Sequence, residues 1–139
     1  DITNYPGAGA AGGMGGGLLA FFNAELKPGT ELLLKAIDFS EKIKGADLII
    51  TGEGKADRQT AMGKVPYGIL KEAQKEHIPV IVLAGSIENL PELNKAGFKG
   101  IFSIAPGPIT LEKAMEPEFA KENITRLVSQ LYSVITSFG

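Results

Sequence analysis

Three short apolar runs, separated by stretches of helical length, limit what this chain can fold into more than any other feature. Asp47-Leu48-Ile49-Ile50-Thr51 stops at Gly52, and Val80-Ile81-Val82-Leu83-Ala84 stops at Gly85. Gly100-Ile101-Phe102-Ser103-Ile104 ends before Pro106-Gly107-Pro108. A strand that is apolar without alternation is buried on both faces, as in a parallel sheet between helices. The intervening sequence supplies those helices. One is predicted over about 66–77, with Pro66 in its first turn and Pro79 beyond its end. A short one covers about 91–96 and stops at Gly97. The last covers about 117–138. Its Ala120, Ile124, Leu127, Val128, Leu131, Ile135 and Phe138 recur at helical spacing, which predicts a long helix packed on the sheet. Strand and helix alternate, so the class is α/β with right-handed crossovers.

The part before residue 46 reads differently. Glycine makes up 18 of the 139 residues, against a usual ~7%, and it crowds the stretch from Gly7 to Gly17. The apolar run Leu18–Phe22 follows and is expected to open a buried helix. A second helix is expected after Pro28-Gly29, with Thr30 as its N-cap. Leu32, Leu33, Ala36, Ile37 and Ile43 would form its apolar face, and Gly45 its stop. The chain begins Asp1-Ile2-Thr3 rather than at a methionine and is read as a fragment.

Composition removes several functions. With 14 basic and 16 acidic residues the net charge is −2, so no basic field draws in nucleic acid or an anionic membrane. There is no cysteine, hence no thiolate metal site, disulfide or cysteine nucleophile. One histidine excludes a histidine-cluster metal site and leaves any Ser-His-Asp triad to His77, which falls at a helix end away from the strand tips. No apolar run approaches the ~20 residues of a membrane helix and no signal peptide is visible, so a cytoplasmic protein is expected. Asn123-Ile124-Thr125 matches a glycosylation acceptor but falls inside a predicted helix.

Two motifs fail on context. Gly7-Ala8-Gly9-Ala10-Ala11-Gly12 matches the dinucleotide fingerprint literally, yet no strand precedes it and no acidic strand end follows at the required distance. Gly63-Lys64 resembles the end of a P-loop, but Arg58 stands where glycine is needed and Val65 where Ser or Thr should hold magnesium. The glycine-rich stretch keeps two readings. Its backbone N–H groups can approach phosphate oxygens, or its glycines can permit tight packing and a hinge.

The segment from Thr51 to Pro66 carries the strongest chemical signal. It is expected to be a long polar loop at the C-terminal end of a parallel strand, where ligands of open α/β sheets bind. Glu53 and Asp57 are carboxylates able to hold magnesium or accept a hydroxyl proton. Lys55, Arg58 and Lys64 can neutralise a transferring phosphoryl group. Gly85-Ser86 ends the next strand on the same rim, and Ala105-Pro106-Gly107 ends the third. The same features suit a non-enzymatic α/β module that holds a nucleotide or sugar. The acidic pair discriminates, since a pure binder of phosphates has little use for two carboxylates.

The runs Gly7–Gly15, Asp47–Gly54, Asp57, Gln59-Thr60 and Gly63–Pro66 together resemble the bacterial glycerate kinases of the type I family, over essentially the whole chain. That resemblance implies phosphorylation of D-glycerate by ATP with Mg2+. It also implies two α/β domains around a cleft, one of them Rossmann-like and built from both ends of the chain, the other inserted. Residues 1–36 would be the tail of the inserted domain. Residues 37–139 would be the C-terminal portion of the Rossmann-like domain, an incomplete three-layer parallel sheet. The partners implied are D-glycerate, ATP and the missing N-terminal part of the same enzyme, and an exposed strand edge would favour a homo-oligomer. Glu53, Asp57 and Lys64 are the expected catalytic residues. Glu53 and Asp57 would serve magnesium or the hydroxyl proton, and Lys64 the phosphates or the glycerate carboxylate. Gly7, Gly9, Gly12, Gly13, Gly52, Gly54, Gln59, Thr60, Gly85 and Ser86 are the expected substrate or phosphate contacts.

Overall fold

The structure, a computed structural model, describes residues 4–22 and 24–138. Asp1-Ile2-Thr3 lies outside the described residues. The chain divides into two compact units, the first ending at Lys42 and the second beginning at Ile43.

The first unit is helical among its described residues. Helix α1, Ala10–Phe22, begins inside the glycine-rich stretch and is kinked at Ala11, Gly12 and Gly13, which have φ of 51°, 67° and 95°. A Cβ on Gly15 would collide with the carbonyl oxygen of Gly7. The Gly16 N–H donates to the Ala8 carbonyl at 2.8 Å. At Gly15 the glycine therefore serves close packing of the preceding turn on the helix. The run Leu18–Phe22 closes this helix rather than opening a buried one, and Phe21 is 84% exposed.

Helix α2, Gly29–Ala36, starts one residue before Thr30, with Pro28 at the N-cap. The single helix expected through Ile43 is broken. Asp38 has φ of 50°, and its carbonyl restarts the chain as the short α3, Phe39–Lys42, by accepting from Glu41 and Lys42.

The second unit is α/β. Strands β1 (Ile49–Ala56), β2 (Val80–Ile87) and β3 (Gly100–Ser103) form one parallel sheet in the order β1-β2-β3. Helices α4 (Val65–Lys75) and α5 (Leu90–Ala96) make the crossovers, and both step across the sheet in the same sense. Right-handedness therefore puts them on one face. Val80, Val82 and Ala84 are completely buried or nearly so, as are Leu70 and Ala73 of α4 and Leu93 of α5. Each large apolar side chain buried there contributes roughly 1.5–3 kcal/mol. Helix α4 ends in a Schellman motif. Ile78 N–H reaches the Ala73 carbonyl at 2.9 Å, His77 N–H the Gln74 carbonyl at 3.3 Å, and His77 takes φ of 58°. The single histidine is spent on a helix cap.

The first two strands run past the glycines expected to stop them. Glu53 pairs with Ala84, Lys55 with Ser86 and Ala56 with Ile87. The first part of the expected polar loop, through Ala56, is thus strand. The backbone approaches so closely that a Cβ on Gly85 would lie 2.7 Å from the Gly54 carbonyl oxygen. Glycine here permits pairing instead of ending it.

Short α6 (Leu111–Ala114) and long α7 (Pro117–Thr136) complete the unit. Only Asn123 is buried on α7, its amide donating to the Phe119 carbonyl at 2.8 Å. Ile124, Ile135 and Phe138 are exposed, contrary to a helix packed along its length. The reason lies in the sheet. Among the described residues no strand lies beyond β1, and Ile50, Val128, Leu131 and Ile135 flank an open groove of about 600 Å³.

Gly85→Ala is expected to destabilise the unit by about 1–3 kcal/mol, because the added methyl must push β1 from β2. At Gly54 a Cβ meets nothing within 4 Å, so Gly54→Ala should stay within about 0.5 kcal/mol of wild type. Urea denaturation of both variants tests the contact; equal losses would remove it.

Candidate functional site

The polar residues after β1 fold by local hydrogen bonding. The Asp57 Oδ1 accepts from the Gln59 N–H at 2.9 Å and the Thr60 N–H at 3.3 Å. The Thr60 hydroxyl answers by accepting from the Asp57 N–H at 3.0 Å. This reciprocal arrangement has the logic of a capping box and leads into a single 3-10 turn, Thr60–Met62. Thr60 is fully buried beneath it. Gly63, with φ of 129°, reverses the chain, and Lys64 then starts α4 as its N-cap.

Lys64 Nζ stands 3.3 Å from the same Asp57 Oδ1. Desolvation pushes the Asp57 carboxyl up, but the bond from Lys64, the Gln59 N–H, the Lys64 charge and the Thr60 N–H outweigh it. The carboxyl is held below the usual carboxylate range. None of these contacts uses Oδ2. Lys55 is likewise paired, 2.8 Å from Glu88, and the hydrogen bond and charge of Glu88 raise its pKa.

A groove of about 490 Å³ opens at the C-terminal ends of the strands. Glu53 and Gly54 come to it from β1, Gly85 and Ser86 from β2, and Ile104 and Ala105 from the exit of β3. The segment from Gly107 to Met115, including α6, forms the remaining wall. The Thr110 hydroxyl orders that wall, capping α6 through the Lys113 N–H at 3.3 Å. Glu53 Oε1 is buried here without a hydrogen-bond partner. A buried acceptor left alone costs about 1–3 kcal/mol, more when charged, so it calls for an external donor or cation.

Of the residues expected from sequence, Glu53, Gly54, Gly85 and Ser86 line the groove. Asp57, Gln59, Thr60 and Lys64 form their own cluster and do not line it. Gly52 lies in β1, short of the groove. Gly7, Gly9, Gly12 and Gly13 belong to the first unit. The described residues contain no group of three or more His, Cys, Asp or Glu placed to hold a metal. The apolar wall from Ile104 to Met115 was missed by sequence reasoning, since only Ala105-Pro106-Gly107 was assigned to the rim. No described helix is long and apolar enough to cross a membrane.

Fold and groove define an α/β unit with a groove at the strand tips, where open α/β sheets bind their ligands. Comparison with known proteins narrows this. A model described as "Glycerate kinase family" matches residues 1–136, and the chain belongs to that family. It is 44% identical over 135 residues to a glycerate kinase of Bacillus cereus, covering 96% of this chain and 35% of that relative. It is 42% identical over 127 residues to a glycerate 2-kinase of Escherichia coli K12, covering 91% and 33%. Among solved structures it resembles that of a protein assigned as glycerate kinase 2 of Salmonella typhimurium LT2, with a TM-score of 0.64 and 37% identity over 94% of this chain and 34% of that one. The chain spans about a third of the length of the curated relatives it matches.

The depressed Asp57 pKa ties stability to pH. The folded carboxyl ionises more readily than the unfolded one. Its stabilisation is therefore complete above the ordinary aspartate range and is lost as pH falls through the lower folded value. Asp57→Asn should be less stable than wild type at neutral pH and converge with it in acid, with a gap that narrows in high salt. Urea midpoints followed from neutral into acid check this; a gap independent of pH would refute the assignment.

Proposed function

We propose that this chain is the C-terminal portion of a type I glycerate kinase that transfers the γ-phosphoryl group of ATP to D-glycerate, giving phosphoglycerate. In this reading the first unit is the tail of the inserted domain, and the second is the C-terminal portion of a Rossmann-like domain in a cytoplasmic enzyme. One observation carries the proposal beyond family membership: the lone buried oxygen of Glu53 at the strand-tip groove. A cation-dependent phosphoryl transfer has a use for such an oxygen, since it can hold the metal that accompanies the phosphates.

The carboxylates suit magnesium. That ion is bound through one or two carboxylates together with substrate phosphates; Glu53 Oε1 has no hydrogen-bond partner, and the hydrogen bonds to Asp57 fall on its Oδ1. When bound, magnesium neutralises charge that develops on the transferring phosphoryl group. The chain's own residues do the rest. Asp57 holds Lys64 by its Oδ1, and Lys64, partly open to solvent, offers its ammonium to the phosphates. Gly85 and Ser86 bring backbone to the groove at a point where a side chain on residue 85 would part the strands. No covalent intermediate is required, since phosphoryl transfer rests on positioning and charge neutralisation.

The test is phosphoglycerate formation from D-glycerate, ATP and magnesium by the protein at its genome-encoded length. Wild type should turn over. Glu53→Gln keeps the size of the side chain and should fold as wild type does, while turnover falls about 10²–10⁴-fold. Wild-type turnover in the folded variant would remove Glu53 from the mechanism. No transfer in the wild type, with nucleotide still bound, would favour the binding module.

A further inference from the structure

The groove at the strand tips has one charged member and an apolar wall. We propose that this wall is the seat of a nucleoside, the purine and ribose of the phosphoryl donor, and takes neither its phosphates nor the acceptor acid; the assignment rests on the kinase reading and deepens it.

Charge makes the first selection. No Lys, Arg or His lines the groove, and Glu53 does. A triphosphate or a hydroxy acid placed against the wall would meet no cation and one carboxylate, with its own charge desolvated. The nearby cations stand elsewhere, Lys64 on Asp57 and Lys55 on Glu88.

Surface chemistry makes the second. Ile104, Pro108, Ile109, Leu111, Ala114 and Met115 offer apolar area, as a flat uncharged heterocycle requires. Leu111 and Met115 are exposed in the free chain, so a ring laid on them removes apolar surface from water. About 490 Å³ lies within the usual range for a pocket that holds a ligand of this size. The polar groups are few and sit at the strand end of the groove: Glu53 and Ser86. Ribose hydroxyls, which are donors, find the Ser86 hydroxyl and the second oxygen of the Glu53 carboxylate, besides Oε1, and an acidic residue at a strand end is a known receptor for them. The ribose end then points towards Gly54, Gly85 and Ser86, and the phosphates leave the apolar wall on that side.

The experiment is an NMR titration of the full 139-residue chain with adenosine, with inorganic triphosphate and with D-glycerate, all without metal. Adenosine should shift the amides of Gly54, Gly85, Ala105 and Ala114, and leave those of Ile78 and Lys99 at the opposite end of the sheet unmoved. Triphosphate and D-glycerate should not shift the groove set. Ala114→Trp fills the groove and should weaken adenosine binding about tenfold or more. Leu111→Glu changes an exposed wall residue without touching the core and should weaken it several-fold. Both should keep the wild-type circular dichroism. The site is refuted if adenosine leaves these amides unshifted, if triphosphate shifts the same set, or if the two folded variants bind adenosine as wild type does. The kinase reading fails separately. Adenosine binding here without phosphoryl transfer by the genome-length protein keeps the nucleoside site and removes the kinase. Transfer with an ATP KM unchanged in both variants keeps the kinase and removes the site.

Discussion

The approach of the Gly54 carbonyl to Gly85 fixes much of the second unit. Parallel pairing between β1 and β2 continues through that contact to Ala56 and Ile87. The continued pairing carries Glu53 past the buried rows of the sheet and leaves its carboxylate at the strand tips. It also sets where the chain leaves the ladder, and so where Asp57 begins its turn. Were the strands to part at Gly52 and Gly85, Glu53 would lie on a solvated loop and its lone oxygen would have water for a partner.

The two carboxylates of the segment are electrostatic opposites. Asp57 is compensated by two backbone donors and a lysine, and these contacts make it a building element of the turn. Glu53 has an oxygen, Oε1, that is buried without a hydrogen-bond partner in the described chain. An uncompensated buried group is a local cost that folding alone does not explain, and such costs concentrate where ligands bind. The groove beside it has the complementary character, apolar along the α6 side and polar only at the strand ends. Division of a site into a charged end and an apolar end orients an amphipathic ligand before any specific contact forms.

The architecture was legible because burial on both faces leaves a sequence trace. The runs at 47–51, 80–84 and 100–104 gave the sheet, its parallel sense and the intervening helices. Strand ends were not legible at Gly52 and Gly85, since a glycine that stops a strand and one that admits a neighbouring backbone look the same. Thr60, expected as a phosphate contact, is instead buried under the turn through its bond to Asp57, which composition does not encode. The Asp57–Lys64 pair was visible as two charges seven apart, not as one cluster. The wall from Ile104 to Met115 escaped because apolar residues in a loop carry no chemical signature until a fold places them at a strand tip. The half-exposed α7 shows the converse: helical periodicity reveals a face meant for burial, but not whether the surface that would bury it is at hand.

The sheet order has a kinetic consequence. Each strand pairs with the next one in the chain, so every crossover closes a loop no longer than one helix with its turns. Closing such a loop costs little more entropy than closing a shorter one, and a topology of near-neighbour contacts folds faster than one that must join distant segments. The three strand tips, and with them the polar end of the groove, assemble as soon as residues 49–103 have condensed. The apolar wall follows when α6 and α7 arrive. The polar end of the site therefore rests on contacts within residues 49–103, and its apolar wall on the segment that follows them.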